Sequence, residues 1–288
     1  MRPENLYTKI FLDGGDPRET RDIIELLGFL DGQTTNPTLI SKNPEAQARL
    51  ARGEKFSQQE IYQFYYGVVT ELSAMIPEGS ISIEVYADAS TSSADMLGQA
   101  REMNTWIPNA HIKFPTTQEG LKAAEQCIKE EMRVNMTLCF SQEQAAAVYA
   151  ATRGAEKGQV FVSPFVGRLD DRGENGMDLI ANILRMYAQG DGHVEVLSAS
   201  VRTLDHFMYA LALKSDIITA PANVLRDWSA QGMAVPGAQF AYDAGMLRAI
   251  PYQTVDLNKP WEEYPVTNEL TNAGITRFSA DWNNLTSV

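Results

Sequence analysis

The chain has 288 residues, 44% of them hydrophobic, and a formal net charge of −13. Such a length fills one large domain with a well-buried core, and the acidic balance without any basic run excludes a nucleic-acid partner. Two cysteines, Cys127 and Cys139, make no disulfide framework and point to a reducing, cytoplasmic setting.

No apolar stretch approaches the ~18 residues of a membrane span. The opening Met1-Arg2-Pro3-Glu4-Asn5 leads into no apolar signal-peptide core, so no membrane partner is expected. Taken in chain order, strands are expected at residues 8–13, 30–34, 80–86, 110–114, 133–138, 159–163, 194–200 and 215–219. Helix-period stretches separate them. The first starts near Pro17, a long one covers 58–75, and others cover 117–129 and 141–153, the last behind Ser141 as N-cap. Gly154 and Gly190 stand where helices should stop.

Eight strands interleaved with helices imply parallel pairing and right-handed crossovers. A closed (β/α)8 TIM barrel over 1–288 is the economical α/β outcome. An open doubly wound sheet is the alternative, but no glycine-rich phosphate loop follows any strand. Residues 43–54 look like an insertion. Residues 249–288, with Pro251, Pro260 and Pro265, read as a C-terminal extension that ends in a helix over 266–284 and packs on the barrel.

Barrel enzymes carry their chemistry at the C-terminal ends of strands. In His111-Ile112-Lys113-Phe114-Pro115, alternation sends Lys113 to the face opposite Ile112 and Phe114. A lysine forced inward loses hydration, its neutral amine is favoured, and that amine attacks carbonyls. The alternative is an edge-strand lysine that snorkels to water. The same rim collects Asp13, Asn36, Glu84, Asn135, Thr137, Ser163, Arg168, Ser200 and Arg202.

Each has a plainer reading. Asp13 could cap the helix near Pro17, and Asn36 could be a turn residue before Pro37. Glu84 could form a structural ion pair, and Asn135 and Thr137 could satisfy each other. Ser163 and Ser200 could simply close strands, while Arg168 and Arg202 could bridge Asp170, Asp171 or Asp205. His111, His193 and His206 fit no ligand spacing, so no metal and no cofactor are expected. The functional reading rests on coincidence across strands.

The segments FLDGQTTNPTLI (29–40), IKFP (112–115), VNMTL (134–138), VSPFVGRLDD (162–171) and ASVR (199–202) resemble the signature stretches of transaldolases. The resemblance implies a metal-free class I mechanism with Lys113 as the imine-forming lysine. By the same resemblance Glu84 and Thr137 hold a catalytic water, and Asp13 is the base at the C4 hydroxyl. Asn36, Asn135 and Ser163 hold the dihydroxyacetone unit, while Arg168, Arg202 and Ser200 bind a phosphate. The related fructose 6-phosphate aldolases carry glutamine and tyrosine where this chain has Glu84 and Phe165, which favours transfer over simple cleavage and places Phe165 at the substrate.

The implied partners are small sugar phosphates, with a homo-oligomer left open. Gly14-Gly15, Phe114, the 43–54 stretch and the tail depart from the family pattern, so a sulfonated sugar stays open as substrate. An aldolase and a non-catalytic sugar-phosphate-binding barrel are the other readings.

Overall fold

The computed structural model describes residues 2–237 and 239–287, so Met1, Ala238 and Val288 of the expected 1–288 span lie outside the described residues. Eight strands close into a ring in chain order: β1 (Lys9–Asp13), β2 (Gly32–Thr34), β3 (Ser80–Glu84), β4 (Ala110–Pro115), β5 (Val134–Cys139), β6 (Val160–Pro164), β7 (Val194–Ser198) and β8 (Ile217–Ala220). All neighbours are parallel, and β1 pairs with both β2 and β8. The expected (β/α)8 barrel is therefore the fold.

Helices connect the strands: α1 (Pro17–Leu27), α2 (Pro37–Ser41), α3 (Pro44–Ala51), α4 (Gln58–Met75), α5 (Ser93–Met103), α6 (Gln118–Lys129), α7 (Gln142–Ala151), α8 (Val166–Asp170), α9 (Gly176–Tyr187), α10 (Leu204–Ala212) and α11 (Ala222–Ala230). A last helix, α12 (Glu269–Leu285), follows the proline-rich tail. No helix among the described residues is long and apolar enough to cross a membrane.

Alternation sorts each strand's side chains. On β1, Ile10 and Leu12 pack outward with Ile23, Leu27 and Trp228 of the helical layer, whereas Phe11 joins Phe161, Leu197, Ala199 and Ile217 in an apolar plug inside the barrel. The plug needs Gly32, because a Cβ there would stand 2.5 Å from the Phe11 ring and from the Ser80 carbonyl. Beneath the plug, Lys9 pairs with Glu195 at 3.0 Å. His111 stacks on Phe161 with ring centroids 4.0 Å apart, and its two nitrogens engage Ser80 Oγ and the Gly158 carbonyl. Burial pulls the His111 pKa down to about 3, so the ring is a neutral structural element.

Some boundaries differ from the sequence expectation for local reasons. Strand β2 begins at Gly32 rather than residue 30, because Asp31 turns its carboxylate back onto the Ile10 N–H and Arg2. The 43–54 stretch forms α3, which starts at the Asn43 side chain accepting from Glu45 N at 2.9 Å. In the tail, α12 starts at Glu269 rather than 266. The Val266 carbonyl is engaged by Gln144 Nε2 at 3.2 Å, and Asn268 supplies the N-cap.

Candidate active site

Register builds the centre of the site. Pairing sets Glu84 of β3 opposite Lys113 of β4, and Lys113 opposite Asn135 of β5. Same-face neighbours in the ring point into the lumen, where Lys113 is 3% exposed and Glu84 4%. Lys113 Nζ stands 3.0 Å from Glu84 Oε2 and donates to the Thr35 carbonyl at 3.1 Å. The lysine therefore does not snorkel to water.

Glu84 Oε2 and Thr137 Oγ1 are buried with no hydrogen-bond partner among the described residues, so the Lys113–Glu84 contact is an ion pair outside hydrogen-bond geometry. Such orphaned atoms cost free energy unless a partner meets them in use. Burial pushes the Glu84 carboxyl up against the pull of Lys113, and Asp13 adds to that rise. Two carboxyls that hold protons readily beside an amine suit proton transfer.

Asp13 closes β1 on the rim. Thr34 Oγ1 donates to its Oδ1 at 2.7 Å, and Thr219 Oγ1 lies 2.6 Å from Thr34 Oγ1, leaving Thr219 as the donor to Thr34. Burial raises the Asp13 pKa, opposed by Lys113, the Thr34 bond and Lys42. Asp13 does not cap α1, since Asp16 accepts from Arg18 N there. Asn36 does cap α2, its Oδ1 accepting from Leu39 N at 2.9 Å. That bond does not use the Asn36 amide donors. Asn135 is satisfied by Ser82 Oγ at 3.0 Å and Ser163 Oγ at 2.7 Å rather than by Thr137.

A cavity of about 290 Å³ opens above these groups. Its wall includes Asp13, Asn36, Lys113, Ser163, Phe165, Arg168, Ser200 and Arg202, whereas Glu84, Asn135 and Thr137 do not line it. A larger cavity of about 470 Å³ lies at the opposite, N-terminal mouth among Lys9, Asp31, His111 and Arg133, away from Lys113 and Asp13.

Cations crowd one side of the smaller cavity. Arg202 is clamped by Asp171 through contacts of 2.5 and 2.6 Å. Arg168 has no carboxylate partner among the described residues. Burial, with Arg277 and Arg202 beside it, draws its pKa below the usual guanidinium value. Asp170 is occupied by His206 Nε2 at 3.0 Å and Gly176 N. Gly167 is required where α8 meets this cluster, since a Cβ would stand 2.3 Å from Arg202 Nε. Asp171 also acts on Arg168 from a distance, but its carboxylate oxygens are bonded to Arg202. A half-buried guanidinium with no ion pair of its own among the described residues suits an anion.

Sequence reasoning missed Lys42, Arg277 and Phe278, which also line the cavity. Lys42 directly follows the TTNPTLIS stretch and was within reach of the motif. Arg277 and Phe278 had no such signal, because only the docking of α12 brings them to the rim.

A model of the family described as "Transaldolase/Fructose-6-phosphate aldolase" matches residues 10–288. A probable transaldolase of Dehalococcoides mccartyi is 36% identical over 274 residues, 95% of this chain and 97% of that one. A probable transaldolase of Mesorhizobium japonicum is 40% identical over 220 residues, 76% of this chain and 87% of the relative. The crystal structure of 3-hexulose-6-phosphate synthase from Salmonella typhimurium aligns with a TM-score of 0.47 at 11% identity, covering 78% of this chain and 97% of that one.

Proposed function

We propose that this chain, which belongs to the transaldolase/fructose-6-phosphate aldolase family and is an enzyme of the transaldolase/aldolase type, transfers a dihydroxyacetone unit between phosphorylated sugars through a Schiff base on Lys113. Donors and acceptors are pairs such as sedoheptulose 7-phosphate or fructose 6-phosphate with glyceraldehyde 3-phosphate or erythrose 4-phosphate. The observation that carries the reading is Lys113 Nζ, 3% exposed, 3.0 Å from Glu84 on the wall of a cavity that also holds Asp13.

That geometry suits a stepwise exchange of protons between amine, carboxyls and sugar. The Lys113 amine, having passed a proton to Glu84, adds to the ketose C2 carbonyl. Glu84 then protonates the departing hydroxyl, with water as the leaving group and an iminium as product. A water between Glu84 and Thr137 would meet both orphaned buried oxygens and carry protons between carboxyl and substrate. Asp13 takes the C4 hydroxyl proton, the C3–C4 bond breaks, and its electrons move onto the nitrogen to leave an enamine and an aldehyde. The enamine then adds to an acceptor aldehyde, Asp13 returns its proton, and water hydrolyses the imine. Each positioned acid or base contributes ~10²–10⁴-fold. Asn36 and Ser163 hold the three-carbon unit, with Asn135 orienting the Ser163 hydroxyl from behind, and Arg168, Arg202 and Ser200 hold the phosphate, with Phe165 against the substrate.

Glu84 and Phe165 favour transfer over aldolase chemistry, the second reading. Borohydride added with fructose 6-phosphate should leave a covalent three-carbon or six-carbon adduct on Lys113. Donor supplied without acceptor should release dihydroxyacetone slowly, and Glu84→Gln should raise the share of free dihydroxyacetone. No adduct defeats the Schiff-base reading, and fast release in the unmodified protein assigns the aldolase instead.

A further inference from the structure

Tyr65 sits on α4, outside the barrel wall, and none of the chemistry above uses it. Its side chain is 0% exposed. The hydroxyl lies 2.9 Å from the Glu84 backbone nitrogen and 2.5 Å from Thr35 Oγ1. Thr35 Oγ1 also lies 2.7 Å from the Ser82 carbonyl.

The direction of every bond in this chain is determined. A carbonyl only accepts, so the Thr35 hydroxyl donates to Ser82. Tyr65 must then donate to Thr35, which leaves its oxygen to accept from the Glu84 N–H. The Thr35 carbonyl in turn receives Lys113 Nζ at 3.1 Å. One phenol therefore joins the two residues against which the ammonium rests. The Tyr65 ring is itself held edge-on by Trp106 and by Trp282 of α12, each with centroids 5.9 Å away. Burial pushes the Tyr65 hydroxyl well above its usual value, so it stays a neutral donor.

We propose that Tyr65 is a positioning residue for the Lys113–Glu84 pair, its hydroxyl fixing the Glu84 backbone and Thr35 and thereby the approach of carboxylate to amine. The proposal rests on reading Lys113 as the imine-forming lysine. Phenylalanine would fill the same volume, so packing does not need the hydroxyl. Without it the buried Glu84 N–H loses its partner, and both supports of Lys113 are free to shift.

The test is Tyr65→Phe assayed for transfer. A misplacement near 1 Å costs ~10²-fold, so kcat should fall roughly 10- to 100-fold while KM for fructose 6-phosphate stays within about threefold. Borohydride trapping should slow in proportion, and the pH profile of kcat should move. Tyr62→Phe is the control: on the same helix and in the same aromatic group, it loses a bond to Gln99 of 2.8 Å and should keep kcat and its pH profile.

Thr35→Val breaks the chain one link further on, and it carries the test alone if Tyr65→Phe does not fold. The double variant should be no slower than the slower single one, since coupled sites are non-additive. Wild-type kcat and pH profile in Tyr65→Phe, or additive losses in the double variant, overturn the proposal. An unmodified protein that forms no adduct defeats the Schiff-base reading, whereas an adduct formed equally fast with and without the Tyr65 hydroxyl defeats this inference alone.

Discussion

Glu84 and Lys113 face each other across the β3–β4 pairing, and their side chains meet at 3.0 Å where almost no solvent reaches. The ammonium offsets one buried carboxylate and is itself held by a main-chain carbonyl. Lys113→Met should abolish borohydride trapping and lower transfer at least ~10³-fold, since the covalent step is lost and its acid–base partners have nothing to serve. It also strands Glu84. Breaking one side of a buried pair costs ~3–5 kcal/mol. Burial already raises the Glu84 pKa, and the unfolded chain gives up its proton first as pH rises. The cost should therefore be larger at pH 8 than at pH 5 in denaturant melts, and equal losses at both would contradict it.

Asp13 offers a trade between stability and chemistry. Its pKa is raised by burial, so above the unfolded carboxylate pKa the folded state holds its proton longer than the unfolded state does. Stability from this group is thus lost as pH rises. Asp13→Asn keeps an oxygen for Thr34 and should melt higher than the parent at pH 8, with the gain disappearing near pH 4. Transfer should fall ~10²–10⁴-fold at every pH. A variant that melts lower at pH 8 would show that the carboxylate is favourably held there.

Arg277 reaches the cavity from α12, beside an Arg168 that lacks a carboxylate partner among the described residues. Charge-assisted bonds contribute ~1.5–3 kcal/mol. Arg277→Ala should therefore raise KM for glyceraldehyde 3-phosphate about tenfold or more, with kcat changed little and unphosphorylated glyceraldehyde used as before. Equal effects on both acceptors would remove Arg277 from the anion subsite. Running 2-hydroxy sulfonate analogues in the same assay separates a phosphate preference from a sulfonate one.

His111 sets an acid limit far from the chemistry. Its pKa falls from 6.5 to about 3 on burial, so its contribution is complete above pH 6.5 and is lost as pH drops toward 3. At pH 4.5 that loss is ~2–3 kcal/mol. His111→Gln should be less stable than the parent at pH 7.5, and the gap should narrow by that amount at pH 4.5. A gap independent of pH would place the acid sensitivity elsewhere.

Much of this molecule is legible in one dimension because the relevant periods are local. Strand alternation sends Lys113 to the face opposite Ile112 and Phe114, and strand–helix alternation calls for parallel pairing, which a closed ring satisfies most economically. Strand ends then nominate Asp13, Glu84, Ser163 and Arg202, because a parallel barrel gathers all C-terminal ends on one rim. Those readings survive errors of a residue or two at β2 or α12.

Partnership between distant elements was decided only in three dimensions. Sequence could not say that Asp171 would bond Arg202 rather than Arg168, or that Asn135 would bond Ser82 and Ser163 instead of Thr137. Nor could it bring Tyr65 beneath the Glu84 backbone, or turn the Arg277 face of α12 toward the cavity. Period fixes which way a side chain leaves its own backbone. Ring closure and helix docking, driven by burial of whole faces at once, fix what it meets.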